Sequence, residues 1–176
     1  NQDDPDVIEI WNLVFIEFSK KLIDGSIVLE KLPNNHIDTG MGLERLASVL
    51  QSKSSNYDVD AFQSIFEQVY SLSGDGVPPY RGITEDKTDI AYRVLADHSS
   101  CLTFALAEGL IPSNEGRGYV LRRILRRALR FGKEVLKADL NGNYLSSICN
   151  SVVEEFGADF TELSTNKERV FELLKE

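Results

Sequence analysis

The chain has 176 residues, 42% of them hydrophobic and 27% charged, with a formal net charge of −9. That length allows one domain or one and a half with a real core, and the composition is too apolar for a disordered chain. No apolar run of about 18 residues occurs, which argues against a membrane span, and Cys101, Cys149, His36 and His98 make no zinc spacing, so reduced structural thiols and no metal site are expected. The chain starts at Asn1 and continues into Asp3-Asp4-Pro5-Asp6 with nothing like a signal or transit peptide, which suggests a piece of something longer.

From Glu9 to about Gly40 the pattern is strand-like. Ile10 to Phe18 is rich in β-branched and aromatic residues, Asp24-Gly25 is a turn, Ser26 to Leu32 is a return strand, and Pro33-Asn34-Asn35 predicts a further turn before a short third strand at Ile37 and Asp38. Three strands with near-continuous apolar character make a poor free-standing sheet, so partner strands are expected upstream. After Gly42 the periodicity is helical: about 42 to 51, then 58 to 72 with Asp58 as N-cap and Phe62, Phe66 and Tyr70 as core. Ser73 to Thr84 is a loop rich in glycine and proline. A long helix from about Lys87 to Glu108 follows, ending at Gly109, and two more are predicted at about 143 to 156 and 159 to 175. The fold class expected is mainly α with a small antiparallel β portion, divided as 1–52 and 53–176. His98 and Asp97 fall inside the helical pattern and read as packing or capping residues.

Arg117, Arg122, Arg123, Arg126, Arg127, Arg130 and Lys133 carry seven positive charges with no acid among them from Arg117 to Lys133, so the rest of the chain stands at −16. At about 100° per residue, Arg122, Arg123, Arg126, Arg127, Arg130, Lys133 and Lys137 fall within an arc of about 140°, while Val120, Leu121, Ile124, Leu125, Ala128, Leu129 and Phe131 fill the other side. Planar guanidinium forks suit bidentate phosphate contacts and stack on bases, whereas a merely solvated face is served as well by lysine. The pattern favours a nucleic-acid partner over a solvated face neutralised by acidic helices.

The turn Asp38-Thr39-Gly40-Met41-Gly42-Leu43-Glu44-Arg45-Leu46 joins strand to helix. Its glycines permit close backbone approach and special dihedrals, the helix start favours an anion, and Arg45 adds a cation. A dinucleotide loop is a weak reading, since Arg45 stands where its third glycine belongs.

Ile10-Trp11-Asn12-Leu13-Val14-Phe15, the Asp38 to Leu46 turn, Ala96-Asp97-His98, Pro112-Ser113-Asn114 and the run from Arg117 to Arg127, in that order and approximate spacing, resemble the alanyl-tRNA synthetases of class II. The likeness runs from about Asp4 to Leu136. It implies the end of a class II catalytic sheet, with Asp38 to Leu46 as the third class II motif, followed by an incomplete helical tRNA-recognition region. In that family ATP, with Mg²⁺, activates alanine to the adenylate, and the alanyl group passes to the terminal ribose of tRNA(Ala).

By resemblance, Arg45 is the catalytic residue at the ATP tail, with Gly42 beside the nucleotide. Asn12 and Asp38 hold the α-amino end of alanine, Gly40 keeps the pocket small, and Val14 is either pocket wall or core. Asn114 reads a G·U pair in the acceptor stem, or alternatively caps the turn, while Arg117, Arg122, Arg123, Arg126, Arg127 and Arg130 grip the RNA. The first class II motifs are not found here, so the chain alone is expected to be inactive. Any zinc of an editing domain would lie outside it, the partners would be tRNA, alanine and ATP rather than a membrane, and the compartment is the cytoplasm, with an organellar parent left open. The competing reading is a non-catalytic RNA-binding helical module.

Overall fold

The computed structural model describes residues 7–140 and 142–175; the acidic opening at Asp3 to Asp6 lies outside them. The β-branched and aromatic run forms β1 (Trp11–Ile23), which pairs antiparallel with β2 (Ser26–Met41). Asp24 and Gly25 join them with φ of 50° and 79°, the doubly left-handed geometry that matches strand twist in a two-residue hairpin. The expected turn at Pro33 and the separate third strand are not found, because β2 continues through them. Ile16 pairs with His36 and Phe18 with Lys31, so Leu32 to Asn35 face the single Glu17. This irregularity gives Pro33, which has no N–H to donate, a place outside the regular ladder. The turn residues thus bend one strand instead of dividing two.

The chain then turns into α1 (Leu43–Leu50). Within this first unit almost every strand residue is exposed, and neighbours that point to opposite faces are both apolar: Val14 is 46% and Phe15 71% exposed. The chain forms two compact units divided between Asn56 and Tyr57, where the sequence places the division between 52 and 53.

The second unit is helical and has a core of its own. A 3-10 turn at Asp60–Phe62 leads into α2 (Gln63–Ser71). Asp58 does not cap this segment; it accepts a hydrogen bond from the Tyr80 hydroxyl at 3.0 Å, tying the loop after α2 back to its start. Phe62 and Phe66 are buried and stack with centroids 6.1 Å apart, and Phe66 meets Tyr80 at 4.2 Å. Tyr70, expected in the core, is 48% exposed.

The central element is α3 (Lys87–Ala107), capped by Asp86, whose carboxylate accepts from the Thr88 and Asp89 amides. One turn on, Asp89 is fully buried and accepts from the Ile83 amide at 2.6 Å, with the Arg81 guanidinium 3.7 Å away. A buried carboxylate is tolerated only with such partners, so Asp89 holds the loop that delivers α3. Ala91, Tyr92, Leu95, Leu102 and Leu106 on α3 are fully buried. Around it pack α2, α4 (Gly116–Glu134), α5 (Tyr144–Phe156), α6 (Thr161–Thr165) and α7 (Lys167–Leu173). The single C-terminal helix expected from periodicity is broken at Asn166, whose amide donates to the Ala107 carbonyl at 3.1 Å. That contact satisfies an orphan carbonyl at the end of α3, and the break turns Leu163 and Val170 fully into the core. Burial pushes the Cys149 thiol up to about 12; both cysteines are free.

Candidate functional site

The strand register decides which of the expected substrate residues can act together. Asn12 lies opposite Gly40 and Val14 opposite Asp38. In an antiparallel pair, directly opposed residues share a face, and residues two apart on one strand do too, so all four sit on one face of the hairpin. Trp11, Leu13, Thr39 and Met41 occupy the other, where the Trp11 indole donates to the Thr39 hydroxyl. Val14 is exposed, so it belongs to no core among the described residues. A Cβ on Gly40 would meet nothing within 4 Å, which leaves open space directly over the face that carries Asn12 and Asp38.

Gly42 follows at the N-cap of α1 with φ of −78°. Neither Gly40 nor Gly42 has a positive φ, so the special dihedrals expected of this turn are absent and only close approach is at issue. A Cβ on Gly42 would lie 3.4 Å from the Arg45 side chain. Arg45 is exposed on the first turn of α1, and its Nη1 donates to the Glu9 carbonyl at 2.9 Å, while the Gly42 amide donates to the Ile10 carbonyl at 3.3 Å. The segment before β1 thereby fixes Arg45 beside the strand ends. Glu9 is a support that periodicity does not single out: its carbonyl holds Arg45 and its carboxylate accepts from Asn12 Nδ2 at 3.4 Å. The acid three residues before Asn12 is the one sequence trace of it.

In the helical unit, α4 keeps all its cations outside. Arg117, Arg122, Arg123, Arg126, Arg127, Arg130 and Lys133 are exposed. Among the described residues Arg130 alone of the seven pairs with a carboxylate, Glu134 at 2.9 Å one turn on, which removes the reading of a face neutralised by acidic helices. Arg123 lies over the Tyr119 ring and Arg127 over Phe131, 6.0 and 5.7 Å from the centroids. The buried stripe of α4 is Leu121, Ala128 and Gly132, narrower than expected; Val120, placed with the core by the helical wheel, is 55% exposed.

Asn114 is exposed and does not cap α4. The cap position is Glu115, with no side-chain hydrogen bond, and the Asn114 side-chain oxygen Oδ1 accepts from Arg122 Nη1. The turn that carries it closes on Gly118: the Ser113 amide donates to the Gly118 carbonyl at 3.0 Å, and a Cβ there would come within 2.5 Å of the Ile111 carbonyl oxygen. His98, read from sequence as a packing or capping residue, is nearly buried on α3, its side chain 12% exposed. It lines an open cleft of about 580 Å³ with Tyr119, Val120, Arg123, Ile124, Arg126 and Arg127.

Among the described residues no three His, Cys, Asp or Glu side chains gather as a metal-ligand group, and no helix is long and apolar enough to cross a membrane.

The hairpin face thus carries an amide, a carboxylate and an open glycine, and the helical unit a largely unpaired guanidinium face. The family model for tRNA synthetases class II (A) matches residues 1–176, and the chain belongs to that family. It is 48% identical over its whole length to the cytoplasmic alanine–tRNA ligase of Drosophila melanogaster, 50% to the alanine–tRNA ligase of Schizosaccharomyces pombe, and 49% to the mitochondrial alanine–tRNA ligase of Saccharomyces cerevisiae. The chain spans 18% of the length of each of these relatives.

Proposed function

We propose that the chain is the part of an alanine–tRNA ligase that joins the end of the catalytic sheet, through residue 52, to the start of the tRNA-recognition helices. The observation that carries this reading is the match along the whole chain to alanine–tRNA ligases from insect and yeasts.

The hairpin face then takes the α-amino end of alanine. The Asp38 carboxylate matches an ammonium, the Asn12 amide adds direction, and Gly40 leaves room over the strands for a small side chain. Val14 borders that room. The alanine carboxylate attacks the α-phosphorus of ATP, the bond to pyrophosphate breaks, and negative charge grows on the leaving oxygens. Arg45, beside Gly42 at the start of α1, is the cation placed for that charge. Mg²⁺ would arrive with the phosphates of ATP and would share in neutralising that charge. On the helical side, Arg117, Arg122, Arg123, Arg126, Arg127 and Arg130 hold the acceptor stem of tRNA(Ala), and Asn114 reads its G·U pair. The minor groove of A-form RNA is the edge a protein can reach, and an amide offers it both a donor and an acceptor. The compartment proposed is the cytoplasm, although the mitochondrial yeast relative is as similar as the cytoplasmic ones.

Alanine-dependent pyrophosphate exchange tests the catalytic half. In the complete ligase, Arg45→Ala is expected to lower exchange by about 100-fold, and Asp38→Asn to raise KM for alanine; unchanged rates for both would refute these roles. Binding of an acceptor-stem hairpin with the G·U pair, against its G·C counterpart, tests the other half. Equal binding of the two, unmoved by Asn114→Ala, would leave the chain a generic RNA-binding module.

A further inference from the structure

The cleft between α3 and α4 holds groups that the arginine grip does not use. On its α3 side His98 is nearly buried, its side chain 12% exposed, and Nδ1 lies 3.0 Å from an Asp97 carboxylate oxygen. An ionised carboxylate can only accept, so Nδ1 is the donor of this pair, and in the neutral tautomer Nε2 keeps its lone pair. On the α4 side stand Arg123 and Arg127, with the exposed ring of Tyr119 under Arg123 and the exposed side chain of Val120 beside it. The wall is therefore mixed: guanidinium donors, an aromatic and aliphatic surface, and one imidazole held in orientation by its neighbour.

Guanidinium groups alone accept any phosphate backbone, DNA or RNA, because a phosphodiester is the same in both. The 2′-hydroxyl is what separates the two; it can accept from a guanidinium, but its own proton needs an acceptor. Arginine, which only donates, cannot supply one. Of the polar side chains lining this cleft, His98 alone combines an acceptor with a fixed orientation.

We infer that this cleft is a ribonucleotide subsite, in which His98 Nε2 accepts the 2′-hydroxyl of one stem nucleotide. Arg123 and Arg127 take the flanking phosphates, while the Tyr119 ring and Val120 cover the sugar. Asp97 is a positioning residue that keeps the acceptor nitrogen toward the cleft. The subsite rests on the proposal that the α4 face binds an RNA stem and adds to it a residue that chooses RNA over DNA.

The test is a 2′-deoxy scan with the full chain: an acceptor-stem hairpin RNA is titrated intact and with each ribose in turn replaced by deoxyribose. One position should weaken binding by about three- to tenfold, the worth of a single net hydrogen bond. That penalty should vanish in His98→Ala and persist in part in His98→Gln, which keeps an acceptor, while affinity for the all-DNA hairpin stays the same in all three proteins. Thermal melts identify a variant that has not folded, in which case the Asp97→Ala protein, whose partner loss is on the surface, carries the comparison and should show a reduced penalty. Identical scans in the wild type and the folded variants would overturn the subsite. If the intact RNA is not bound at all, or Arg117→Ala and Arg122→Ala, on the grip but outside this cleft, leave binding and its salt dependence unmoved, the RNA-grip proposal itself fails, a result distinct from a normal grip with a flat scan.

Discussion

The hairpin unit and the helical unit solve opposite problems. In the helical unit α3 is surrounded, and its residues from Ala91 to Leu106 meet side chains of α2, α4, α5, α6 and α7. In the hairpin unit both faces of two long strands are open, and Trp11, Leu13, Phe15, Leu22 and Leu29 are all at least half exposed. The candidate substrate residues sit on the region with the least burial of its own, whereas the candidate RNA grip sits on a helix anchored by a core. An isolated two-stranded hairpin is marginal in water. The hairpin face at Asn12 and Asp38 therefore has little burial of its own to hold it, whereas the guanidinium face of α4 is anchored by a core.

Stability measurements can break this comparison. The largest effect is expected for Leu102→Ala, at a fully buried position on α3: about 2 to 5 kcal/mol lost in urea denaturation followed by far-ultraviolet helicity. Phe15→Ala, at a position 71% exposed, should change the same transition by less than about 0.5 kcal/mol. Equal losses would mean that the hairpin is packed after all.

A smaller effect sharpens the anchoring of α4. A Cβ on Gly132 would come within 2.6 Å of the Tyr144 hydroxyl oxygen and 2.8 Å of its ring. The Tyr144 side chain is buried, with its hydroxyl unpartnered among the described residues, so it has little room to move. Gly132→Ala should cost about 1 to 3 kcal/mol by overpacking, and the double variant Gly132→Ala, Tyr144→Leu should recover part of it. No recovery would show that α4 is not seated on Tyr144.

The smallest concerns the start of α3. The amide of Asp89 and, beyond it, the Arg81 guanidinium hold the Asp86 carboxyl below its ordinary range. A depressed folded value means that the charged form stabilises the fold above the unfolded value, about 3.9, and that this stabilisation is lost as pH falls through the folded one. Asp86→Asn keeps an acceptor but no charge, so its melting temperature should lie slightly below wild type at neutral pH. The gap should close below about pH 4; a gap that stays constant would assign the effect to the hydrogen bond alone.

Much of this was legible one residue at a time. The Asp24-Gly25 turn, the N-terminal limit of α3, and the segregation of arginine on α4 follow from local chemistry: left-handed dihedrals, periodicity and charge. The misreadings share a cause. Pro33-Asn34-Asn35 has the composition of a turn, but pairing on either side of it keeps the strand going. Residues 159 to 175 have an unbroken helical period, but the end of α3 needs a partner that Asn166 supplies only by breaking the helix. His98 is not one of them: its side chain is nearly buried, as a packing residue's is, and what periodicity could not show is the cleft that α4 leaves beside it.

The sequence by itself determined the class of elements, the bare positive face and the family likeness, because propensity, periodicity and charge are properties of neighbours along the chain. Only the tertiary structure decided that Asn12, Val14, Asp38 and Gly40 share one face, that Glu9 holds Arg45, and that His98 meets Arg123 and Arg127 across a cleft. Those facts depend on helix packing and on strand register, and in a strand a shift of one residue would turn every side chain to the opposite face.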